Sequence, residues 1–298
     1  PQIPSFLDVL HANAPAQKAQ VHVIPAPMET TVCYGGGTAR APRAILEASR
    51  QLDDFDGRRW PTDLAIHTQP FVKPAAGKGS LTERWLGGIE KAVAKALRCG
   101  ALPAVLGGEH TATLGSARAF KAAGEEIGIV HFDAHADLRD VYKGAKLSHA
   151  CVLRRVHELG FPLVQIGTRA VSREEADYRA ENEKTICAYD ARFLAAGKLP
   201  KKWIPRDFPK KVFVSFDLDA FDPAVIPATG TPVPGGLGWR EALRLIDDVA
   251  AARKIVGFDV VELAPMRNLH HPDYTAALLV YALMAAAARA GFKFLRST

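Results

Sequence analysis

Ile127-Gly128-Ile129-Val130-His131-Phe132 runs without interruption into Asp133-Ala134-His135-Ala136-Asp137. The first half is a continuous apolar run, the pattern of a parallel strand covered on both faces. The second half places two carboxylates and an imidazole at alternate positions, and alternate residues of an extended segment point the same way. Other runs of the first kind are Val21–Ile24, Leu64–Ile66, Ala104–Leu106, Leu163–Ile166, Thr185–Ala188, Val212–Phe216 and Ile255–Val261.

Segments with helical spacing separate these runs. Leu86, Ile89, Val93 and Leu97 share a face of a helix ending near Gly100, and Leu243, Ile246 and Val249 share another. Pro42 sits in the first turn expected for a helix reaching Ser49. The long apolar stretch Ala276–Ala288 reads as a helix buried on most sides, too short and alanine-rich to span a bilayer. Strand and helix alternate throughout, which predicts a three-layer α/β/α sandwich with right-handed crossovers. Neither a linker nor a repeat breaks the pattern, so one domain over residues 1–298 is expected.

With 48% hydrophobic and 23% charged residues the chain can bury a full core. The net charge of +6 comes from scattered basic residues. The densest patch, Lys201 to Lys211, reads as a solvated loop leading into a strand, so no nucleic-acid partner is expected. Four cysteines far apart in sequence suit reduced thiols. Pro1-Gln2-Ile3-Pro4 carries no secretory pattern, and a cytoplasmic protein without a membrane partner is expected.

Four runs end in chemically able residues. His110 follows Ala104–Leu106, Asp133 follows Ile127–Phe132, Asp217 and Asp219 follow Val212–Phe216, and Glu262 follows Ile255–Val261. The carboxyl edge of an open α/β sheet is where ligands bind. Taken alone, Asp217-Leu218-Asp219 reads equally well as a turn or capping pair, and His110 as a bonded core histidine. Converging beside two histidines, the four aspartates would repel one another strongly without a counter-charge. Two divalent cations balance four carboxylates, and an oxygen-rich set with two imidazoles and no thiolate favours manganese.

Gly-Gly-Glu-His at 107–110, Asp-Ala-His-Ala-Asp at 133–137 and Ser-Phe-Asp-Leu-Asp-Ala-Phe-Asp-Pro at 215–223 resemble the three signature motifs of the ureohydrolase family, which includes arginases and agmatinases. The likeness runs from Val21 to the last helix. It implies an arginase-like fold with a central, mostly parallel eight-stranded sheet, assembled as a homo-trimer or homo-hexamer. It also implies two Mn2+ ions, the first held by His110, Asp133, Asp137 and Asp217. The second would be held by Asp133, His135, Asp217 and Asp219. A bridging hydroxide would attack a small guanidino substrate, since paired metals lower the pKa of a shared water. Asp137 would carry the proton to the leaving amine. Glu262 would pair with the guanidinium, and His149 would shuttle protons.

Arginases of this family carry Asn two residues past the second motif and Ser-Gly-Asn-Leu before the loop histidine. Here those places hold Arg139 and Gly144-Ala145-Lys146-Leu147-Ser148. Asp137-Leu138-Arg139-Asp140, Tyr142 and Ser148-His149-Ala150 resemble agmatinases instead, which implies agmatine, cleaved to putrescine and urea. Aminopropylagmatine, guanidinobutyrate and arginine are the alternatives, with Arg139 placed either to meet a substrate carboxylate or on the surface. A catalytically silent metal-binding subunit is the competing reading. A phosphoesterase would need fixed cations where Glu262 stands.

Overall fold

The eight apolar runs pair into one sheet because the side chains of its central strands are covered on both faces, leaving their backbone groups only each other as partners. In the computed structural model, which describes residues 4–10, 12–54 and 63–289, the strands are β1 (Val21–Ala26), β2 (Ile66–Thr68), β3 (Leu102–Gly107) and β4 (Gly128–Phe132). Then follow β5 (Leu163–Ile166), β6 (Ile186–Tyr189), β7 (Lys211–Asp217) and β8 (Lys254–Val261). Their spatial order is β2-β1-β3-β8-β7-β4-β5-β6. Every pairing is parallel, so the "mostly parallel" expectation tightens to wholly parallel.

The boundaries moved where burial and pairing part company. Leu64 is buried but unpaired, and β2 starts two residues later, opposite Val21. Thr185 turns its hydroxyl to Asn182 O, so β6 begins at Ile186. The expected edges of the chain at Pro1–Ile3 lie outside the described residues.

One face of the sheet is covered by α1 (Ala41–Ser49), α7 (Trp239–Ala252) and α8 (His271–Arg289), through Ile45, Leu46, Leu245, Ile246, Leu279 and Leu283. The other is covered by α2 (Leu81–Arg98), α3 (Ala112–Ala122) and α4 (Val152–Glu158), through Leu86, Ile89, Val93, Phe120 and Val156. Between β5 and β7 lie α5 (Arg173–Glu181) and the short α6 (Ala191–Ala195). Two expected stripes shift by a residue. In α2 the buried set is Leu86, Ile89, Val93 and Ala96, with Leu97 half-buried. In α7 it is Ala242, Leu245, Ile246, Val249 and Ala250, with Leu243 half-buried. The helix α8 is buried nearly all round, as its composition required.

Among the described residues no helix is long and apolar enough to cross a membrane. The Lys201–Lys211 loop is anchored by buried Trp203, Ile204 and Phe208, while Lys201 and Lys202 point outward. For the site, the decisive fact is that β3, β8, β7 and β4 are consecutive in the sheet. These are the four strands whose carboxyl ends carry the acids and histidines.

Candidate active site

The six expected ligands come together. His110, just past β3, points its Nδ1 at Asp137 Oδ2 (3.0 Å), Asp133 Oδ2 (3.1 Å) and Asp217 Oδ2 (3.3 Å). His135 Nδ1 stands 3.0 Å from Asp219 Oδ2 and 3.4 Å from Asp133 Oδ1. Asp133 thus lies between the two imidazoles, one oxygen toward each. All except His135 are buried. His110 Nδ1 makes no directed hydrogen bond despite its three carboxylate neighbours. Donors that share an ion at about 2.1 Å in octahedral array stand about 3 Å apart. The spacing and the bare nitrogen therefore fit a cation, and the donor set fits a pair of them.

Local backbone makes this convergence possible. Gly108 lies against Met28, where a Cβ would come within 2.0 Å of the Met28 carbonyl oxygen, so only glycine lets the β3 end pass. Simple alternation does not bring Asp137 inward. It adopts φ +54°, and Glu262 adopts φ +65°, a left-handed conformation that costs of order 1–3 kcal/mol in non-glycine residues. Asp219 is set by short backbone ties, with Ala134 N donating to its Oδ1 (3.0 Å) and its own N donating to Asp217 Oδ1 (2.8 Å).

Behind these residues stand partners that sequence reading missed. His110 Nε2 meets Ser215 Oγ at 2.9 Å. Ser215 and Thr113 hydroxyls both donate to Asp259, each at 2.8 Å. Asp259 interrupts the apolar run of β8, and that interruption was the available signal. His131 Nε2 donates to Asp133 Oδ2 (2.8 Å), because the Gln165 amide donates to its Nδ1 (2.9 Å) and Arg179 Nε fixes Gln165 Oε1 (2.9 Å). Both His131 nitrogens are thereby engaged, so His131 supports Asp133 although its distance would suit a ligand. Arg169 spreads its guanidinium over the carbonyls of Gly167, Asp219, Ala220, Phe221 and Val233, locking the Asp217–Asp219 turn.

Glu262, His149 and Arg139 line the same cleft, about 400 Å³ in volume, as His110, His135, Asp137, Asp217 and Asp219. Glu262 Oε1 accepts from His110 N at 2.6 Å. His149 Nδ1 lies 3.2 Å from Thr31 Oγ1. That hydroxyl, together with Thr30 and both backbone N–H groups, bonds buried Glu109. Glu109 is thus the tether of the His149 wall, another role the sequence did not disclose. Arg139 lies 5.5 Å from the Tyr142 ring centroid and pairs with no carboxylate among the described residues.

Electrostatics show what the protein alone must bear. Burial, reinforced by the Asp133 charge, pushes Asp137 up to about 7. Burial likewise pushes Glu262 to about 8, against the pull of His110. Burial also raises Asp217 well above the carboxylate range, with Asp219 and Asp133 adding to it. His135 is desolvated, yet Asp133 and Asp219 outweigh that and lift it to about 12. On groups so placed, a bound proton and a bound cation are alternatives.

Comparison with known proteins agrees. Residues 19–288 match the arginase family. The N(1)-aminopropylagmatine ureohydrolase of Synechocystis sp. is 38% identical over 89% of this chain and 88% of its own length. The agmatinase of Pyrococcus horikoshii is 32% identical over 88% and 90% respectively. The agmatine ureohydrolase structure of Thermoplasma volcanium superposes with TM-score 0.79 at 28% identity, covering 92% of each chain. Sheet, cleft and matches together define a hydrolase of the ureohydrolase class, acting on guanidino compounds. The chain belongs to the arginase family.

Proposed function

We propose that this chain is a manganese-dependent ureohydrolase that cleaves an amine-tailed guanidine, agmatine or aminopropylagmatine, to urea and the free amine. The observation that carries the metal assignment is His110 Nδ1, buried, undirected and ringed by three carboxylate oxygens. Two Mn2+ are assigned, one to His110, Asp133, Asp137 and Asp217 and one to Asp133, His135, Asp217 and Asp219. When bound, such a pair makes hydroxide available from water near neutral pH.

The remaining chemistry falls to the chain's own groups. The guanidinium arrives as a cation, and Glu262 Oε2, the oxygen not taken by His110 N–H, would pair with it. Asp137 would accept a proton from the attacking water and return it to the leaving nitrogen. Water adds to the guanidinium carbon, the bond to the chain nitrogen breaks, and the amine departs protonated beside neutral urea. Burial lowers the His149 pKa, so the ring is neutral near pH 7 and can take up a proton from the cleft. Its Thr31 contact keeps it at the wall.

The names of the Synechocystis and Pyrococcus relatives support the amine-tailed substrate. Arg139 offers nothing to a cationic tail and would grip only a carboxylate. The test is urea release with agmatine, aminopropylagmatine, arginine and guanidinobutyrate under matched manganese loading. The highest kcat/KM is expected for one of the first two. A clear preference for guanidinobutyrate would overturn the tail assignment and give Arg139 its role.

A further inference from the structure

Asp259 has no part in that chemistry, yet it is a fully buried carboxylate in mid-strand with no cationic side chain bonded to it among the described residues. A buried anion without a counter-ion is retained only where hydrogen bonds hold it and something depends on it. Ser215 and Asp259 face each other in register across β7 and β8. The Ser215 hydroxyl donates to Asp259 Oδ1 and the Thr113 hydroxyl to Oδ2. Both hydroxyl protons are committed to the carboxylate, so Ser215 Oγ has only lone pairs to offer. The ring nitrogen 2.9 Å away, His110 Nε2, must be the donor. A ring whose proton is fixed on Nε2 presents Nδ1 on its other side, and Nδ1 is the atom ringed by Asp137, Asp133 and Asp217.

We propose that Asp259 is a positioning residue that acts through Ser215 to keep a proton on His110 Nε2, so that Nδ1 is the nitrogen given to a divalent cation. The cation rests on the metal reading above; the placement of the proton does not. An anion behind the imidazole also strengthens it as a donor, as outer partners of metal-bound histidines do.

Asp259→Asn keeps the shape but supplies an amide donor to Ser215. The relay can then reverse, with Ser215 donating to Nε2 and the ring proton moving to Nδ1. In wild-type protein, nitrogen-15 NMR should show a slowly exchanging His110 Nε2–H, both metal-free and zinc-loaded. Asp259→Asn should lose it and bind the manganese at His110 ten- to a hundredfold more weakly. The His135 ion should be little changed. Retention of Nε2–H with unaltered manganese affinity would overturn the proposal. Should Asp259→Asn fail to fold, Ser215→Ala decides: mixed tautomers support the relay, and a single Nε2–H tautomer refutes it. If wild-type protein binds no manganese, the functional reading falls. The wild-type Nε2–H signal still judges the relay.

Discussion

Glu262 shows how much chemistry one residue can carry here. Its backbone is left-handed, one carboxyl oxygen accepts from His110 N, and the side chain lines the cleft. Glu262→Gln keeps the bond to His110 N but removes the carboxyl group that, in the proposed function, ionises to pair with the incoming guanidinium. A buried charge-assisted pair is roughly twice as strong as a neutral one, so kcat/KM should fall about a hundredfold or more. Steady-state kinetics on the amine-tailed substrates would measure it, and a change under threefold would remove Glu262 from substrate binding. At this scale the clustering of the six candidate ligands was legible because each of the three strings that carry them follows an apolar run. Their supports were not. Asp259, His131 and Gln165 sit inside strands, where a polar residue gives no hint of its partner, and Glu109 meets Thr30 and Thr31 from 79 and 78 residues away.

The elements owe their limits to short signals. The helix α2 begins where Ser80 Oγ accepts from Glu83 N at 3.1 Å, with Glu83 in the first turn favourably placed against the helix dipole. Removing an N-cap of this kind costs about 1 kcal/mol. Ser80→Ala should therefore lower the unfolding free energy by that amount in denaturant titration while leaving manganese affinity unchanged, since the Ser80 side chain bonds Glu83 N and none of the six ligands. Strand existence was readable from continuous apolar runs. Strand ends and helix stripes slipped by a residue or two, as at Leu64 and Leu243, because apolar character reports burial and not hydrogen bonding.

At the scale of the whole molecule, the order β3-β8-β7-β4 gathers residues from four distant parts of the chain. Alternating strands and helices predicted a parallel sheet but not that β8 returns to its centre, a choice made by long-range packing. The gathered charges couple metal to protons. With His135 held at about 12 and Asp137 at about 7, the metal-free protein near neutrality carries protons that ligation must expel. Raising the pH removes those competitors, so manganese affinity should rise with pH, and the loss should steepen as pH falls below about 7. Calorimetry in two buffers of different ionisation enthalpy should show net proton release at pH 6.5. Zero release would contradict the electrostatic picture.

A paired-manganese centre that hydrolyses a guanidine should reveal itself in urea production by the manganese-loaded protein and in its loss from the Asp217→Asn variant. Asp217 Oδ2 faces His110, and Asp217 Oδ1 holds Asp219 N, so this change strikes both proposed ion positions. We expect urea from agmatine or aminopropylagmatine with wild-type protein, and a loss of at least a thousandfold in the variant, roughly 4 kcal/mol of barrier, together with loss of manganese. Wild-type protein that releases urea from no guanidino compound, or a variant with near-normal turnover, would overturn the paired-manganese hydrolase.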